Sequence, residues 1–541
     1  MTASGPSAAS ATDLLILGAR LPGSAQDTPA VALAIQGGRI AAMAPSDQLS
    51  HLPAQHTLDA RGRTVSPGFI DAHSHLLFYC MALRTVDCRV PLHGSVEEAL
   101  ERLRRQVQAV PPGEWVRGWG YADYKTRERR FPTLAELDDV APANPIAVLH
   151  ASWHSAMVNS QALRRMGVDS GTPDPAGGAI VRDPASGTPT GLLHEAAMGI
   201  VSFETMVQEF LQLAPEQQLA ALAAGSAEFA RLGITTSCDA MCKPPLLAIY
   251  QEGERRGLLK NRVVAMLYYD WCLPDFGPRP APSFGAGMVK QGAIKLSGDG
   301  SLSGRTAAVS EPFRGTGSTG ILYRDQESLD RIVRDLDAQG LQIAIHAIGD
   351  RAVAQGVAAY SQVIRAGGEN EKRHRIEHAG VLNLPLIQSM AERDLVVATQ
   401  PRMLYEQGDG FLRSCGEARM RHVYPYRSLI EHGLHVAGSS DCPVVSPDPI
   451  LGMRDAVLRR TEEGEELAPG EQLDPAQALR MFTREAAYSI LEEGDLGTLE
   501  AGKAADLVLL SADPLLTPPQ DWEREVRVEV TIVNGEIVYG G

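Results

Sequence analysis

The chain has 541 residues, of which 44% are hydrophobic, 21% are charged and 5% are aromatic. This composition excludes a disordered or fibrous chain and is typical of a globular protein with a large core. The formal net charge of −16 and the sequence pI near 5.4 argue against a general binder of nucleic acids or anionic membranes. We therefore expect no nucleic-acid partner and no membrane partner, whereas the charge says little about a small-molecule substrate.

The sequence predicts a soluble, cytoplasmic protein. It contains no run of about 18 apolar residues, which is what a helix needs to span a bilayer. The opening MTASGPSAASAT has neither the basic start nor the apolar run of a secretory signal and is expected to be a mobile tail. The seven cysteines form no CxxC pair, which favours a reducing compartment.

Short strand-like segments lie near both ends of the chain. They cover residues 13–21, 30–42, 506–510 and 528–539. Gly37-Gly38 predicts a turn inside the second segment, and Asn534-Gly535 predicts one inside the last. Neither end has enough strands to bury a sheet face alone. We therefore expect residues 1–66 and 489–541 to form one composite β-sandwich domain.

The middle of the chain, residues 67–488, predicts an α/β fold, a (β/α)8 TIM barrel. Short apolar runs alternate there with helical patterns such as 217–232 and 326–339. The eight predicted strands cover residues 68–75, 233–239, 262–269, 292–298, 341–348, 375–379, 395–400 and 434–441. The gap after the first strand is too long for one crossover, so residues 84–215 are expected to form an insertion over the barrel mouth.

The strongest local motif is the pair His73 and His75 at the end of the first predicted strand. Residues two apart in a strand project to the same face, so both imidazoles can reach one metal ion at the barrel mouth. Taken alone, the pair could equally be two surface or hydrogen-bonded histidines.

Four further side chains of interest lie in or at the ends of other predicted strands. They are Lys295, His346, His378 and Asp441. Each histidine taken singly could be an ordinary core or surface residue, and Asp441 could be a helix cap. Lys295 could be salt-bridged to Asp299, or it could be a buried lysine of lowered pKa that reacts with carbon dioxide to give a carbamate ligand. Together, these residue types at the mouths of separate strands favour a metal site.

This constellation resembles the amidohydrolase superfamily, and more narrowly its amidohydrolase-3 branch, which includes deformylases of N-substituted formamides. The matching stretches are Pro67–His75, Lys295–Ser301, His346–Ala352, Arg375–His378 and Gly438–Pro443, together with His154, Asn159–Leu163 and Gly494–Leu507. The resemblance covers nearly the whole chain beyond the first dozen residues. Cys442 departs from the aromatic or small residue expected at its position, which leaves the substrate pocket harder to predict.

The resemblance implies a set of metal ligands. His73, His75 and Asp441 would hold one divalent metal, His346 and His378 a second, and carboxylated Lys295 would lie between them. Zinc is the first choice for one or two metals per chain, although manganese, iron or nickel would suit such ligands. A metal-activated hydroxide would attack a carbonyl carbon, and Asp441 would act as base and then as acid.

Candidate substrate contacts come from the insertion and from the loop after the fourth strand. They are Trp119, Tyr121, Trp153, His154 and Arg305. The aromatic side chains could form an apolar lid over the substrate, or they could simply pack the insertion against the barrel.

The expected function is therefore a metal-dependent hydrolase of a carbon–nitrogen bond in a non-peptide amide, with an N-substituted formamide as the named substrate. A carbamate, urea, cyclic imide, ester or lactone on the same site remains an alternative, as does deamination of a ring. A non-catalytic regulatory or binding protein on the same barrel is the alternative of another class. A homodimer is also compatible with the sequence.

Overall fold

The computed structural model describes residues 12–25, 27–175, 177–272, 284–285 and 287–541. The predicted mobile tail lies outside the described residues, apart from Thr12, which already belongs to the first strand.

The chain begins with a four-stranded sheet. Its strands are β1 (Thr12–Ala19), β2 (Val31–Gln36), β3 (Arg39–Pro45) and β4 (Ala54–Asp59), in the order β3-β2-β1-β4. β2 and β3 form a hairpin that turns at Gly37 and Gly38, where both glycines have positive φ. The sequence predicted this turn because glycine adopts positive φ without a steric penalty.

The next strands lead into the barrel and its insertion. β5 (Thr64–Pro67) is followed at once by β6 (Phe69–Ser74), the first barrel strand. The insertion contributes a six-stranded sheet of β7 (Val86–Asp87), β8 (Val116–Tyr121), β9 (Ile146–His150), β10 (Ser155–Val158), β11 (Gly178–Arg182) and β12 (Pro189–Glu195).

The remaining barrel strands follow the insertion. They are β13 (Ile234–Cys242), β14 (Arg262–Tyr268), β15 (Val289–Ser297), β16 (Ile343–Ala347), β17 (Arg375–His378), β18 (Val396–Thr399) and β19 (Val436–Gly438). With β6 they form a parallel sheet in which each strand pairs with its neighbours in chain order. The Asp441 backbone N donates to His73 O at 2.7 Å, so the segment after the last strand is bonded to the first strand beside the candidate ligands.

The chain ends with β20 (Leu507–Leu510), β21 (Val528–Val533) and β22 (Glu536–Gly540). β20 pairs antiparallel with β5, which completes a second four-stranded sheet of order β22-β21-β20-β5. One buried cluster joins the two terminal sheets and includes Leu14, Ile35, Val65, Leu509 and Ile532. The small sandwich is therefore built from both ends of the chain.

The α-helices surround the barrel and cover the insertion. In chain order they are α1 (Ser46–Leu49), α2 (Leu76–Ala82), α3 (Val96–Val107), α4 (Leu134–Val140), α5 (Ser160–Met166), α6 (Phe203–Leu211), α7 (Pro215–Arg231), α8 (Pro244–Arg255), α9 (Tyr269–Cys272), α10 (Gln326–Ala338), α11 (Asp350–Tyr360), α12 (Leu384–Ala391), α13 (Arg402–Glu406), α14 (Gly408–Cys415), α15 (Glu417–Met420), α16 (Tyr426–Glu431), α17 (Pro449–Leu458), α18 (Pro475–Met481), α19 (Arg484–Ser489) and α20 (Trp522–Glu525).

α10 illustrates how the barrel helices form. Asp325 caps its N-terminus by accepting a hydrogen bond from Ser328 N at 2.7 Å. Leu329, Ile332, Val333 and Leu336 recur at helical spacing and are all buried. The predicted fold class, a TIM barrel with a terminal sandwich and an insertion after the first strand, is confirmed. None of the helices in the described ranges is both long and apolar enough to cross a membrane.

Candidate metal centre and active site

Six polar side chains predicted from the sequence meet at the C-terminal mouth of the barrel. His73, Lys295, His346 and His378 lie on β6, β15, β16 and β17. His75 follows β6 directly at the start of α2, and Asp441 lies three residues beyond β19. Parallel strands present their carboxyl ends at one end of the barrel, which explains why residues so distant in sequence converge.

The centre of this group could hold a metal ion. One potential ligand atom from each of His73, His378 and Asp441 lies within 4.8 Å of the others, and all three residues are buried. His75 Nε2 lies 2.9 Å from Asp441 Oδ1, and Lys295 Nζ lies 3.5 Å from His73 Nε2. Imidazole nitrogens and carboxylate oxygens are the ligands that zinc and related divalent ions take, so the donor set fits a divalent metal.

A buried carboxylate orients His73. His73 Nδ1 donates to Glu377, which also accepts hydrogen bonds from Arg375 Nε at 2.7 Å and Nη2 at 2.8 Å. Burial alone would raise the pKa of Glu377, but Arg375 and His73 outweigh that effect and hold it well below its usual range. With Nδ1 engaged, the lone pair on His73 Nε2 is directed to the cluster.

A second support holds His378. Its Nδ1 donates to Gln400 Oε1 at 2.7 Å, and Gln400 Nε2 donates to Ser439 Oγ at 2.9 Å. Burial, reinforced by neighbouring His346, lowers the pKa of His378 well below its usual value, so the ring is neutral and its Nε2 can act as a ligand. His378 and Asp441 both have positive φ, 71° and 58°, and such backbone strain is typical of functional sites.

Asp299 supports His346 from behind. His346 Nε2 donates to Gly300 O at 3.2 Å and lies 3.4 Å from Asp299 Oδ1. The Asp299 carboxylate accepts backbone hydrogen bonds from Ala308, Ile348 and Gly349 at 2.8–2.9 Å. These contacts leave Nδ1 as the ring nitrogen available to the cluster. Asp299 thus has a structural role of its own, independent of the salt bridge to Lys295 considered from the sequence.

The charges of Asp441 and Lys295 respond differently to burial. Burial raises the pKa of Asp441, but the neighbouring imidazoles of His73 and His75 outweigh this effect and hold the pKa of the carboxyl well below its usual range. Burial lowers the pKa of Lys295, because the interior disfavours its positive charge. The neutral amine is the form of lysine that reacts with carbon dioxide.

A cavity of about 270 Å³ opens above the cluster and is closed in part by the insertion. Trp153, His154, Tyr268 and Trp271 line it together with the candidate ligands. Its aromatic wall suits a small apolar group, and its floor is the polar cluster.

His154 is one of the titratable side chains that the insertion adds to this cavity, together with Glu195 and Glu204. Its Nδ1 lies 3.0 Å from Glu195 Oε2, and Tyr323 donates to the same carboxylate oxygen at 2.8 Å. Burial lowers the pKa of His154, but the Glu195 charge outweighs it and the pKa is raised. Glu195 itself has a φ of 49°, so a strained backbone holds the carboxylate in place.

The five residues predicted to contact substrate lie in different parts of the structure. Trp153 and His154 line the cavity above the cluster, whereas Trp119, Tyr121 and Arg305 do not. Trp119 is buried beneath Arg89, at 6.3 Å from Trp153 between ring centroids. Tyr121 lies in the core of the insertion and donates to Arg130 O at 2.7 Å. Arg305 lines a different cavity.

Several residues of the site were not predicted from the sequence. Glu377 and Arg375 carried a signal, since two charged residues in a short buried strand require each other as partners. Glu195 and Tyr323 carried none, because only the fold of the insertion and of the loop after β15 brings them to His154.

Comparison with known proteins identifies the family of this chain. The amidohydrolase family model matches residues 56–539. An N-substituted formamide deformylase of Arthrobacter pascens is 31% identical over 97% of this chain and 98% of its own. The putative amidohydrolase YtcJ of Bacillus subtilis strain 168 is 28% identical over 90% of this chain and 91% of its own.

A solved structure shares the fold. An uncharacterized metal-dependent hydrolase from Pyrococcus horikoshii OT3 superposes with a TM-score of 0.71 at 24% identity, covering 94% of this chain and 99% of that one. The family resemblance and the hydrolase class predicted from the sequence are confirmed, and the chain belongs to the amidohydrolase family.

Proposed function

We propose that the protein hydrolyses the carbon–nitrogen bond of a small non-peptide amide, with an N-substituted formamide as the leading substrate. The observation that carries the proposal is the convergence of buried His73, His378 and Asp441 beside Lys295, at the floor of a cavity with aromatic walls. The cavity volume of about 270 Å³ limits the substrate to a small molecule. The formamide deformylase relative supports the choice of the formyl group.

The metal assignment belongs to the same proposal. His73, His75 and Asp441 would hold one ion, His346 and His378 a second, and Lys295 as a carbamate would lie between them. Zinc suits these ligands best, and when bound it would activate a water molecule and polarise the substrate carbonyl. The lowered pKa of Lys295 supports carbamate formation, because the neutral amine is the reactive form.

Side chains of the protein would then transfer the protons and position the substrate. Asp441 is ionised and would accept a proton at Oδ and return it to the departing nitrogen. His154, fixed through Nδ1 by Glu195, would hold the substrate with its other ring nitrogen. Trp153 and Trp271 would cover the non-reacting half of the substrate and exclude water.

The direct test is formate release from N-benzylformamide by the full-length protein loaded with zinc, with N-benzylacetamide as the matched amide. Formate release with little hydrolysis of the acetamide supports the formamide assignment. If the protein instead hydrolyses a carbamate, urea, cyclic imide, ester or lactone, the hydrolase assignment stands and the formamide assignment is wrong. If the metal-loaded protein cleaves none of these, the catalytic proposal fails and a regulatory or binding role takes its place.

The cellular setting is also a proposal. All seven cysteines are unpaired, and all but Cys415 are buried. Free buried thiols are typical of a reducing compartment, which supports the cytoplasm. A homodimer stays a prediction, to be checked by light scattering on the purified protein.

A further inference from the structure

A second cavity lies beside the candidate active site and is larger, at about 660 Å³. The insertion, the turn at residues 301–306 and helix α14 enclose it. Its described lining includes none of the six candidate metal ligands. The two cavities share a wall, because His150 and Ser155 face the larger one while the intervening residues 152–154 face the smaller one.

Arg305 supplies an available positive charge to the larger cavity. Its backbone φ of 59° is held by a tight turn in which Arg305 N donates to Leu302 O at 3.1 Å and Thr306 N donates to Ser301 O at 3.0 Å. Within the described ranges, the Arg305 guanidinium has no ion-pair partner within 4.0 Å and no hydrogen bond. A strained turn therefore presents a cation that forms no ion pair. Burial raises the pKa of Asp123 in the same lining, but His150, aided by the Arg305 charge, outweighs burial and the pKa is lowered.

The other charged groups of the cavity are already engaged. Arg129 and Arg413 both bind Glu463 Oε1, at 3.0 Å and 2.6 Å. His150 Nε2 lies 3.3 Å from Asp123 Oδ1. His194 Nδ1 lies 2.7 Å from Ser155 Oγ. Among the described lining residues, Arg305 is therefore the charged side chain that makes no ion pair and no hydrogen bond, whereas Arg129 and Arg413 share one carboxylate.

An apolar surface completes the cavity. Tyr124, Phe131, Leu192 and Ile321 contribute to the wall, and the His150 ring lies 5.6 Å from the Phe131 ring between centroids. Gly410 allows the α14 backbone to pack closely on this wall, since a Cβ at that position would lie 3.2 Å from the Tyr124 ring. The cavity thus combines one free guanidinium with a surface for an aromatic or branched apolar group.

We propose that this cavity is a second ligand site, which binds a small organic carboxylate through Arg305 and packs the apolar body of that ligand against Tyr124, Phe131 and Leu192. A guanidinium pairs with a carboxylate through two parallel hydrogen bonds, which makes the carboxylate the matching group. The site is separate from the metal centre, so the proposal does not depend on the substrate of the hydrolase.

The test uses titration calorimetry with phenylacetate and its neutral counterpart phenylacetamide. Both probes are titrated into the full-length protein and into its His73→Ala variant, because a carboxylate can also bind a metal ion. We expect phenylacetate to bind both proteins, and phenylacetamide to bind at least about tenfold more weakly.

Matched variants locate the site. Arg305→Gln should weaken phenylacetate binding about tenfold or more, and Arg305→Lys should weaken it less because the charge remains. Arg129→Gln is the control: it removes a guanidinium of the same lining that is already paired with Glu463, so the affinity should change by less than about threefold. Thermal unfolding checks that each variant is folded.

Four results would overturn the proposal. Loss of binding in His73→Ala would place the carboxylate at the metal centre. If Arg305→Gln and the unchanged protein bind phenylacetate with equal affinity, the guanidinium does not bind the ligand. The same follows if phenylacetate and phenylacetamide bind the unchanged protein equally well. Absence of phenylacetate binding to the unchanged protein would remove the site itself.

Discussion

His154 Nδ1 lies 3.0 Å from Glu195 Oε2, and this contact ties the loop between β9 and β10 to the end of β12. The insertion thereby presents one fixed imidazole to a cavity whose floor belongs to the barrel. Two parts of the chain that fold into different sheets are both needed to complete the site.

His154→Asn should lower kcat/KM for the hydrolysed amide by about 10- to 100-fold, because the substrate loses a positioned hydrogen-bonding group.

Glu195→Gln should leave the His154 imidazole in place but shift its pKa. The Glu195 charge raises the pKa of His154, so removing it lowers that pKa, and the alkaline limb of the kcat/KM profile should move to lower pH. An unchanged pH profile in Glu195→Gln would show that His154 titration does not govern the reaction.

Glu377→Gln should reduce both metal retention and stability. We expect metal affinity to fall about 10- to 100-fold, because His73 loses the group that orients it. The free energy of unfolding should fall by about 3–5 kcal/mol, because Arg375 is left buried without its carboxylate. Metal analysis and thermal unfolding measure the two effects. The control Glu228→Gln removes the carboxylate of a solvent-accessible pair with Arg231 and should alter neither.

Asp441→Asn should reduce turnover by at least about 100-fold, since it removes both a proton carrier and a ligand atom. Steady-state kinetics at saturating metal separates the two losses: activity restored by excess zinc would assign Asp441 to metal binding alone. Full turnover in the variant under ordinary conditions would reject both roles.

Removal of metal should abolish hydrolysis and lower the melting temperature, because an ion bound to the native state stabilises it. Mass spectrometry of protein purified without chelator gives the stoichiometry. About two ions per chain, falling in Lys295→Ala, would fit a bridging carbamate. About one ion, unchanged in Lys295→Ala, would leave Lys295 with a structural role.

Leu509→Ala should destabilise the whole protein by about 2–5 kcal/mol, because Leu509 belongs to the core shared by the two terminal sheets. Chemical denaturation measures this loss. Leu516→Ala is the matched control, since Leu516 is 60% exposed, and its effect should stay within about 0.5 kcal/mol. Equal stability of the two variants would mean that the sandwich does not contribute to the cooperative unit.

Local patterns were enough to predict the barrel strands, because each is an apolar run between helices. Their ends were less predictable. The last strand was expected at residues 434–441 but β19 covers only Val436–Gly438. Gly438 lies against the Phe482 ring, where a Cβ would be 2.6 Å away, and Ser440 turns to donate to buried Asp71. These are tertiary contacts, which the periodicity of the sequence cannot predict.

The same contrast between local pattern and tertiary contact applies to the candidate site. His73, His346 and His378 were predictable because strand ends of a barrel share one mouth. The positions of Tyr121 and Arg305 were not, because they depend on how the insertion and the loop after β15 fold over the barrel. The sheet of the insertion was not predicted either, because its strands β11 and β12 lie largely in a stretch rich in glycine and proline.

The pairing of β5 with β20 bears on how this protein is made. Pro67 lies opposite Leu507, and almost the entire barrel is synthesised between the two. A ribosome therefore releases the first sheet, β1 to β4, long before β20 to β22, which form most of the sheet that covers its apolar face. We infer that the nascent chain carries an uncovered sheet face throughout barrel synthesis, and that the last 35 or so residues act as the closing piece that ends this exposure.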